Sequence, residues 1–154
     1  MNDTDAALVS SLMADARRTN RSLASQVGLA PSTTLQRVRD LEERGVITGY
    51  HAEVDLPSLG RALEAMVFVR LRPKTDEAVE AFLEYVWAMP EVIAVHLISG
   101  AEDALVHVAV PDTESLRRAV LRQISGHEAV VDERTTLVFE HRRKHVVDRL
   151  DSSG

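Results

Sequence analysis

Five arginines, Arg17, Arg18, Arg21, Arg37 and Arg39, fall within residues 17–39, and no acidic residue interrupts them. A guanidinium presents a planar fork of N–H donors that matches phosphate oxygens and the acceptor edge of guanine. Ser32, Thr33 and Gln36 lie among these arginines and are short polar groups suited to base edges in a major groove. The whole chain carries a net charge of −6, which taken alone argues against a nucleic-acid binder. The acid-free stretch is instead locally cationic, and distribution outweighs the total. A second basic knot, Arg142-Arg143-Lys144, is flanked by His141 and His145 and reads as a solvated face. His141 and His145 have the four-residue spacing of a helical metal pair, but a tail along the surface is the simpler reading. His96 and His107 fall on neighbouring expected strands, while His51 and His127 are scattered. The chain lacks cysteine, so it has no disulfide, thiolate ligand or thiol nucleophile. There is no nucleophile-elbow serine and no Walker or Rossmann glycine set. No catalytic residue, metal or cofactor is expected.

Those side chains need a scaffold. The 154 residues are 45% apolar, a globular composition with room for one ordinary domain or two small ones. No run of about 18 apolar residues occurs, which argues against a membrane span. The opening Met1-Asn2-Asp3-Thr4-Asp5 is acidic and unlike a secretory signal, so a cytoplasmic protein is expected. Leu8, Val9, Leu12 and Met13 recur at helical spacing. Asn2 can cap that helix, with Asp5 completing a capping box. A short second helix is expected over 20–27, capped by Thr19 and ended by Gly28 in the left-handed region. A third helix starts at Pro31, where the missing N–H costs nothing. Its expected buried stripe is Leu35, Val38 and Leu41. Gly45 ends it, and the alternation Tyr50, Ala52, Val54 suggests a strand or wing.

Asp55-Leu56-Pro57-Ser58-Leu59-Gly60 is rich in turn residues and marks a boundary. The expected division is 1–50, a linker at 51–62, and 63–154. Beyond the linker the pattern reads as strand 65–71, helix 76–87, strands 92–98 and 104–110, helix 113–124, and strand 130–139, broken near Asp132-Glu133. This β-α-β-β-α-β order is ferredoxin-like, so the fold class is α+β. Met66, Val67, Phe68 and Val69 are consecutive apolar residues. A sheet wet on one face alternates more cleanly, and a second copy is expected to cover the open face. In the first half, Ala24 and Gly28 sit four apart beside Leu23, Val27 and Leu29. That is the spacing of a helix-turn-helix, with a small inward residue, a turn glycine and then a recognition helix. The third helix then shows Ser32, Thr33, Gln36, Arg37, Arg39 and Asp40 outward, with Arg17, Arg18 and Arg21 over the phosphate backbone.

The ordered set Asp5–Leu12, Arg17, Leu23-Ala24, Val27-Gly28-Leu29, Arg37–Glu42, Gly45–Tyr50, Pro90-Glu91-Val92, Ser99–Asp103 and Thr135-Thr136 spans nearly the whole chain. It resembles the Lrp/AsnC family, the leucine-responsive and asparagine-synthesis regulators. The resemblance implies a winged helix-turn-helix joined to a domain for the regulation of amino-acid metabolism. It also implies dimers that assemble further, commonly to octamers, and an amino acid or related metabolite bound between dimers near a Gly-x-x-Asp turn. Carried over, the implied effector residues are Ser99, Gly100, Ala101, Glu102, Asp103, Thr135 and Thr136. A glycine turn exposes backbone N–H groups able to hold a carboxylate, and Asp103 can accept from an ammonium. The competing reading is a hairpin turn in which Asp103 bonds its own backbone. The chain departs from the family at Ala30, where a capping serine is usual, at Ser22, where glutamate is frequent, and at Ala104, where a larger residue is common. The last change enlarges or weakens an effector pocket. The expected function is therefore an effector-modulated, sequence-specific DNA-binding regulator. The alternatives are a sirohaem (tetrapyrrole) decarboxylase of the same architecture and an architectural DNA binder blind to effectors.

Overall fold

The computed structural model describes residues 1–150 and divides into two compact units. The first contains Met1–Glu53 together with the segment that begins at Arg142, and the second is Val54–His141. The boundaries expected from sequence extend the second domain to 154. Residues 142–150 cluster with the first unit instead, where Arg149 donates to the Met1 carbonyl at 2.8 Å and lies 3.5 Å from Asp3.

In the first unit, α1 (Asp3–Ala14), α2 (Asn20–Val27) and α3 (Pro31–Glu43) pack around Leu8, Leu12 and Leu23. Asn2 Oδ1 accepts from the Asp5 N–H at 2.8 Å, and Thr19 Oγ1 accepts from the Ser22 N–H at 3.2 Å. Gly28 ends α2 at φ 67°, a conformation that side chains with a Cβ resist. Two expectations need correction here. The capping box is one-sided, because the Asp5 carboxylate turns away to Arg37, 2.9 Å distant. The buried stripe of α3 is Thr34 and Leu41 with Val38 half-buried, whereas Leu35 is 41% exposed. Spacings of four and three residues track the 3.6-residue turn better than two successive threes. Thr34 tolerates full burial because its hydroxyl donates to the Ala30 carbonyl at 3.1 Å.

No strand forms over 46–56 among the described residues, so the expected alternation at Tyr50, Ala52 and Val54 does not pair into a sheet. An isolated extended segment has no neighbouring edge on which to satisfy its backbone groups. The turn at the boundary is a short 3₁₀ segment, Pro57–Leu59, whose entry Asp55 fixes by accepting from the Ser58 N–H and hydroxyl at 2.8 and 2.6 Å.

The second unit is an antiparallel sheet of order β2-β3-β1-β4, formed by β1 (Leu63–Leu71), β2 (Val92–Leu97), β3 (Ala104–Val110) and β4 (Val130–Val138). One face carries α4 (Asp76–Trp87) and α5 (Thr113–Arg118), the latter continuing as a π-helical stretch over Ala119–Ile124. Ala65, Val67, Val69 and Leu71 of β1 pack with Val106, Val108 and Val110 of β3 against Phe82, Val86, Leu116 and Ile124. The alternate β1 residues Met66 and Phe68 are half-buried on the opposite face. The irregularity in the last strand lies one residue before the expected Asp132. Arg70 pairs with Asp132 and Leu71 with Val130, so Val131 is the extra residue of a bulge.

Candidate nucleic-acid interface and effector cleft

Helix α3 is set by its contacts with α1 and α2. Thr34 and Leu41 point inward, so Ser32, Thr33, Gln36 and Arg39 are exposed. Gln36 Nε2 donates to Asp40 Oδ1 at 2.8 Å, one turn along the same face. Arg37 behaves differently. It is half-buried, and its guanidinium pairs at 2.9 Å with an Asp5 carboxylate only 8% exposed. Arg37 therefore ties α3 to the first turn of α1. Arg17, Arg18, Arg21, Ser22 and Gln26 are exposed, and Arg18 donates to Gln26 across the shallow groove along α2. Asn20 Nδ2 donates to the Pro31 carbonyl at 2.7 Å, bridging the start of α2 to the start of α3. The turn between these helices is fixed by that bridge and by the Gly28 conformation. Tyr50 donates its hydroxyl to Glu42 at 2.8 Å. Desolvation and the Glu42 carboxylate push the phenol up to about 12.

The Gly100–Asp103 turn joins β2 to β3, with Gly100 at φ 138°. Its aspartate is engaged within the unit. Asp103 Oδ2 accepts from the Leu71 N–H at 2.9 Å, and Oδ1 lies 2.5 Å from Lys74 Nζ and Oδ2 3.6 Å from Arg72. Burial raises the Asp103 pKa, but the Lys74 ammonium, the Leu71 N–H and the nearby Arg72 outweigh it and hold the carboxyl below its ordinary value. The Asp103 N–H donates to the Val69 carbonyl at 2.8 Å, and the Asp103 carbonyl accepts from the Ile98 N–H at 2.9 Å. Asp103 is thus a clamp from the β3 entrance to the end of β1, neither a self-bonded hairpin residue nor an unoccupied ammonium acceptor.

Beside this turn is a cleft of about 300 Å³ lined by Phe68, Arg70, Ala101, Glu102, Asp132, Glu133 and Arg134. Arg70 pairs with Asp132 at 2.7 Å and Arg134 with Glu102 at 3.2 Å. The Arg134 guanidinium also lies 4.5 Å over the Phe68 ring. Of the residues singled out from sequence, the fold brings Ala101 and Glu102 to this cleft. Asp103 does not line it, Ser99 and Gly100 are exposed at the turn, and the two threonines diverge. Thr136 lies opposite Met66 and Thr135 opposite Val67, on opposite sheet faces. Ala104 is fully buried in the core between sheet and helices, so its small size shapes that core and not the cleft. Sequence reasoning missed Phe68, Arg70 and Arg134. The available signal was a lone arginine, Arg70, inside the otherwise apolar run 65–71.

The imidazoles are dispersed. His107 is buried, with Nε2 2.8 Å from Glu64 Oε2, and its ring centroid is 6.2 Å from that of His141. His96 is exposed and lies opposite Leu105, not His107. His127 rests edge-on against Phe82, with ring centroids 5.4 Å apart. His145 lies 3.2 Å from Glu53. No cluster of three or more metal-binding side chains occurs among the described residues, and no described helix is long and apolar enough to cross a membrane.

Comparison with known proteins gives one match for each half of the chain, the second running six residues past the structural boundary at His141. Residues 1–48 match a winged helix-turn-helix DNA-binding family, and residues 64–147 match the Lrp/AsnC ligand binding domain. The HTH-type transcriptional regulator AldR of Mycolicibacterium smegmatis is 37% identical over 143 residues, covering 93% of this chain and 84% of that protein. The leucine-responsive regulatory protein of Rhizobium meliloti is 34% identical over 135 residues, covering 88% of this chain and 86% of that protein. Among solved structures, a transcriptional regulator of Neisseria meningitidis in complex with L-Met superposes with a TM-score of 0.86 at 28% identity, covering 94% of this chain and 93% of that one. Helix-turn-helix, ferredoxin-like sheet and full-length similarity agree: the chain belongs to the Lrp/AsnC family of transcriptional regulators.

Proposed function

We propose that this protein is a sequence-specific DNA-binding regulator that docks α3 in the major groove and responds to an amino acid or related metabolite beside the Gly100–Asp103 turn. The observation that carries the reading is the outward face of α3, where Ser32, Thr33, Gln36 and Arg39 are exposed while Thr34 and Leu41 are buried. Ser32, Thr33 and Gln36 address base edges, and Arg39 joins Arg17, Arg18 and Arg21 on the phosphate backbone. Arg37 holds the helix in place through Asp5.

The cleft at the turn offers both charges that a zwitterion needs. Arg134 and Arg70 suit a carboxylate, Glu102 and Asp132 suit an ammonium, and Phe68 gives an apolar floor. The L-Met complex of the Neisseria relative supports this class of effector. A second copy covers the half-buried Met66 and Phe68 on the open sheet face, and dimers associate further into an assembly such as an octamer. Two recognition helices of a dimer then meet half-sites about one helical turn apart. The protein works in the cytoplasm as a regulator and not as an enzyme, as the names of its relatives support.

Fluorescence anisotropy with a duplex from the promoter of its own gene tests this reading. Affinity is expected to fall steeply with salt and to change when single amino acids are titrated in. A chain that binds no duplex at low salt, or binds every sequence equally and ignores all amino acids, overturns it.

A further inference from the structure

The first unit poses an electrostatic problem. Residues 1–53 contain six arginines against seven carboxylates, a net charge of −1. The acid-free arginine stretch is offset by Asp3, Asp5, Asp15, Asp40, Glu42, Glu43 and Glu53. A duplex with one negative charge per roughly 1.7 Å of axis gains little long-range attraction from a unit of that charge. Residues 142–150 add four cations, Arg142, Arg143, Lys144 and Arg149, against the single Asp148. They turn the described part of the unit to a net charge of +2.

The tail's place in the fold is not what charge alone dictates. The second unit, residues 54–141, holds eight cations against fifteen carboxylates, a net of −7, and is the stronger attractor for a basic segment. The tail nevertheless clusters with the first unit. It is anchored by His145 beside Glu53 at 3.2 Å and by Arg149 on the Met1 carbonyl and Asp3. These anchors use His145 and Arg149, which follow the basic triplet in sequence. Every residue from 142 to 150 is exposed. Among the described residues, Arg143 and Lys144 make no hydrogen bond or ion pair.

Resting on the regulator reading above, we infer that residues 142–144 form an additional phosphate-contacting strip of the DNA-binding unit, gripping the sugar–phosphate backbone without reading bases. The strip supplies affinity independent of sequence, while α3 supplies the preference. Its ligand is the duplex backbone, recognised by charge.

The test compares the full chain with Arg143→Gln/Lys144→Gln by anisotropy, on the promoter duplex and on a random duplex of equal length, from 50 to 200 mM salt. Two lost contacts lower the slope of log affinity against log salt by about 1.8. The variant is therefore expected to lose about tenfold less affinity than the parent across that range, equally on both duplexes. Arg17→Gln/Arg18→Gln reports whether the helices themselves bind. If it lowers the slope while the tail variant leaves slope and affinity at parent values, this inference fails and the regulator reading stands. A parent that binds neither duplex overturns both. Particle mass by light scattering and the unfolding midpoint are expected to match the parent. A changed mass with an unchanged slope assigns the triplet to assembly and overturns the proposal.

Discussion

The two units use side chains in opposite ways. In the first, the candidate functional groups stand on the solvent face of one regular helix, and a small core of Leu8, Leu12, Leu23 and Leu41 holds that face outward. In the second, they meet across strands. Arg70 reaches Asp132, Arg134 reaches Glu102, and Asp103 reaches Leu71 and Lys74, partners separated by about thirty to sixty residues. A helix face is set by local periodicity, whereas a sheet cleft is set by register and by a bulge at Val131. The first kind of site depends on stability only indirectly, and the second is built from the same contacts that hold the sheet.

The largest effect that can break this contrast comes from the larger core. Phe82 is fully buried beneath α4 and against the sheet. Phe82→Ala is expected to cost the second unit about 3–5 kcal/mol. Each unit has its own core, so hydrogen exchange in α2 and α3 should stay at parent rates while β1 and β3 exchange faster. Equal acceleration in both units would show that they unfold as one cooperative body and would dissolve the distinction.

The same contrast explains what was legible beforehand. Helices α2 and α4 and strand β3 coincide with their expected ranges, because caps, turn glycines and apolar period are local signals. The outward placement of Gln36 and Arg39 follows from that periodicity. Leu35 was misplaced because a threonine can take a core position once its hydroxyl finds a carbonyl, here Ala30. The cleft was only half legible. Glu102 lies in a recognisable turn, but Phe68 and Arg134 become neighbours only through the antiparallel β1–β4 register. Divergence of Thr135 and Thr136 follows at once from strand pleating, yet the family resemblance names both for the effector site. The tail's association with the first unit rests on Arg149 meeting Met1 and Asp3, a contact with no local signature.

Asp103 offers a sharper and smaller test. Its carboxyl is held below the usual carboxylate range, with Lys74 and the Leu71 N–H overcoming burial. A group whose folded pKa is depressed stabilises the fold when ionised. That contribution is fully present above about pH 4, near the unfolded value, and is lost as pH falls through the lower folded value. Asp103→Asn keeps an acceptor for Leu71 but discards the attraction of Lys74. It is expected to cost about 1–3 kcal/mol at neutral pH and to flatten acid unfolding below pH 4, as read by the denaturant midpoint against pH. An effector cleft built from fold-stabilising contacts should also lose amino-acid response in this variant. Retained response with lowered stability would separate the cleft from the clamp.

The smallest effect lies within α3 and asks whether neighbouring arginines on one helix share a role. Arg37 and Arg39 are two residues apart and project in different directions. Arg37 is paired with the nearly buried Asp5, while Arg39 is exposed. Arg37→Gln leaves the Asp5 carboxylate without its cation. Because Arg37 is itself 36% exposed, solvent screening limits the loss to about 1 kcal/mol. The salt slope of DNA binding should stay at the parent value, since no phosphate contact is removed. Arg39→Gln is expected to do the reverse, leaving stability unchanged and lowering the slope by about 0.9. Thermal unfolding and salt-dependent anisotropy on the same two variants give four readings. If Arg37→Gln lowers the slope as Arg39→Gln does, Arg37 leaves Asp5 to reach the backbone when DNA binds. The α1–α3 ion pair would then be a contact that DNA displaces, and α3 would reach the groove without its tether to α1.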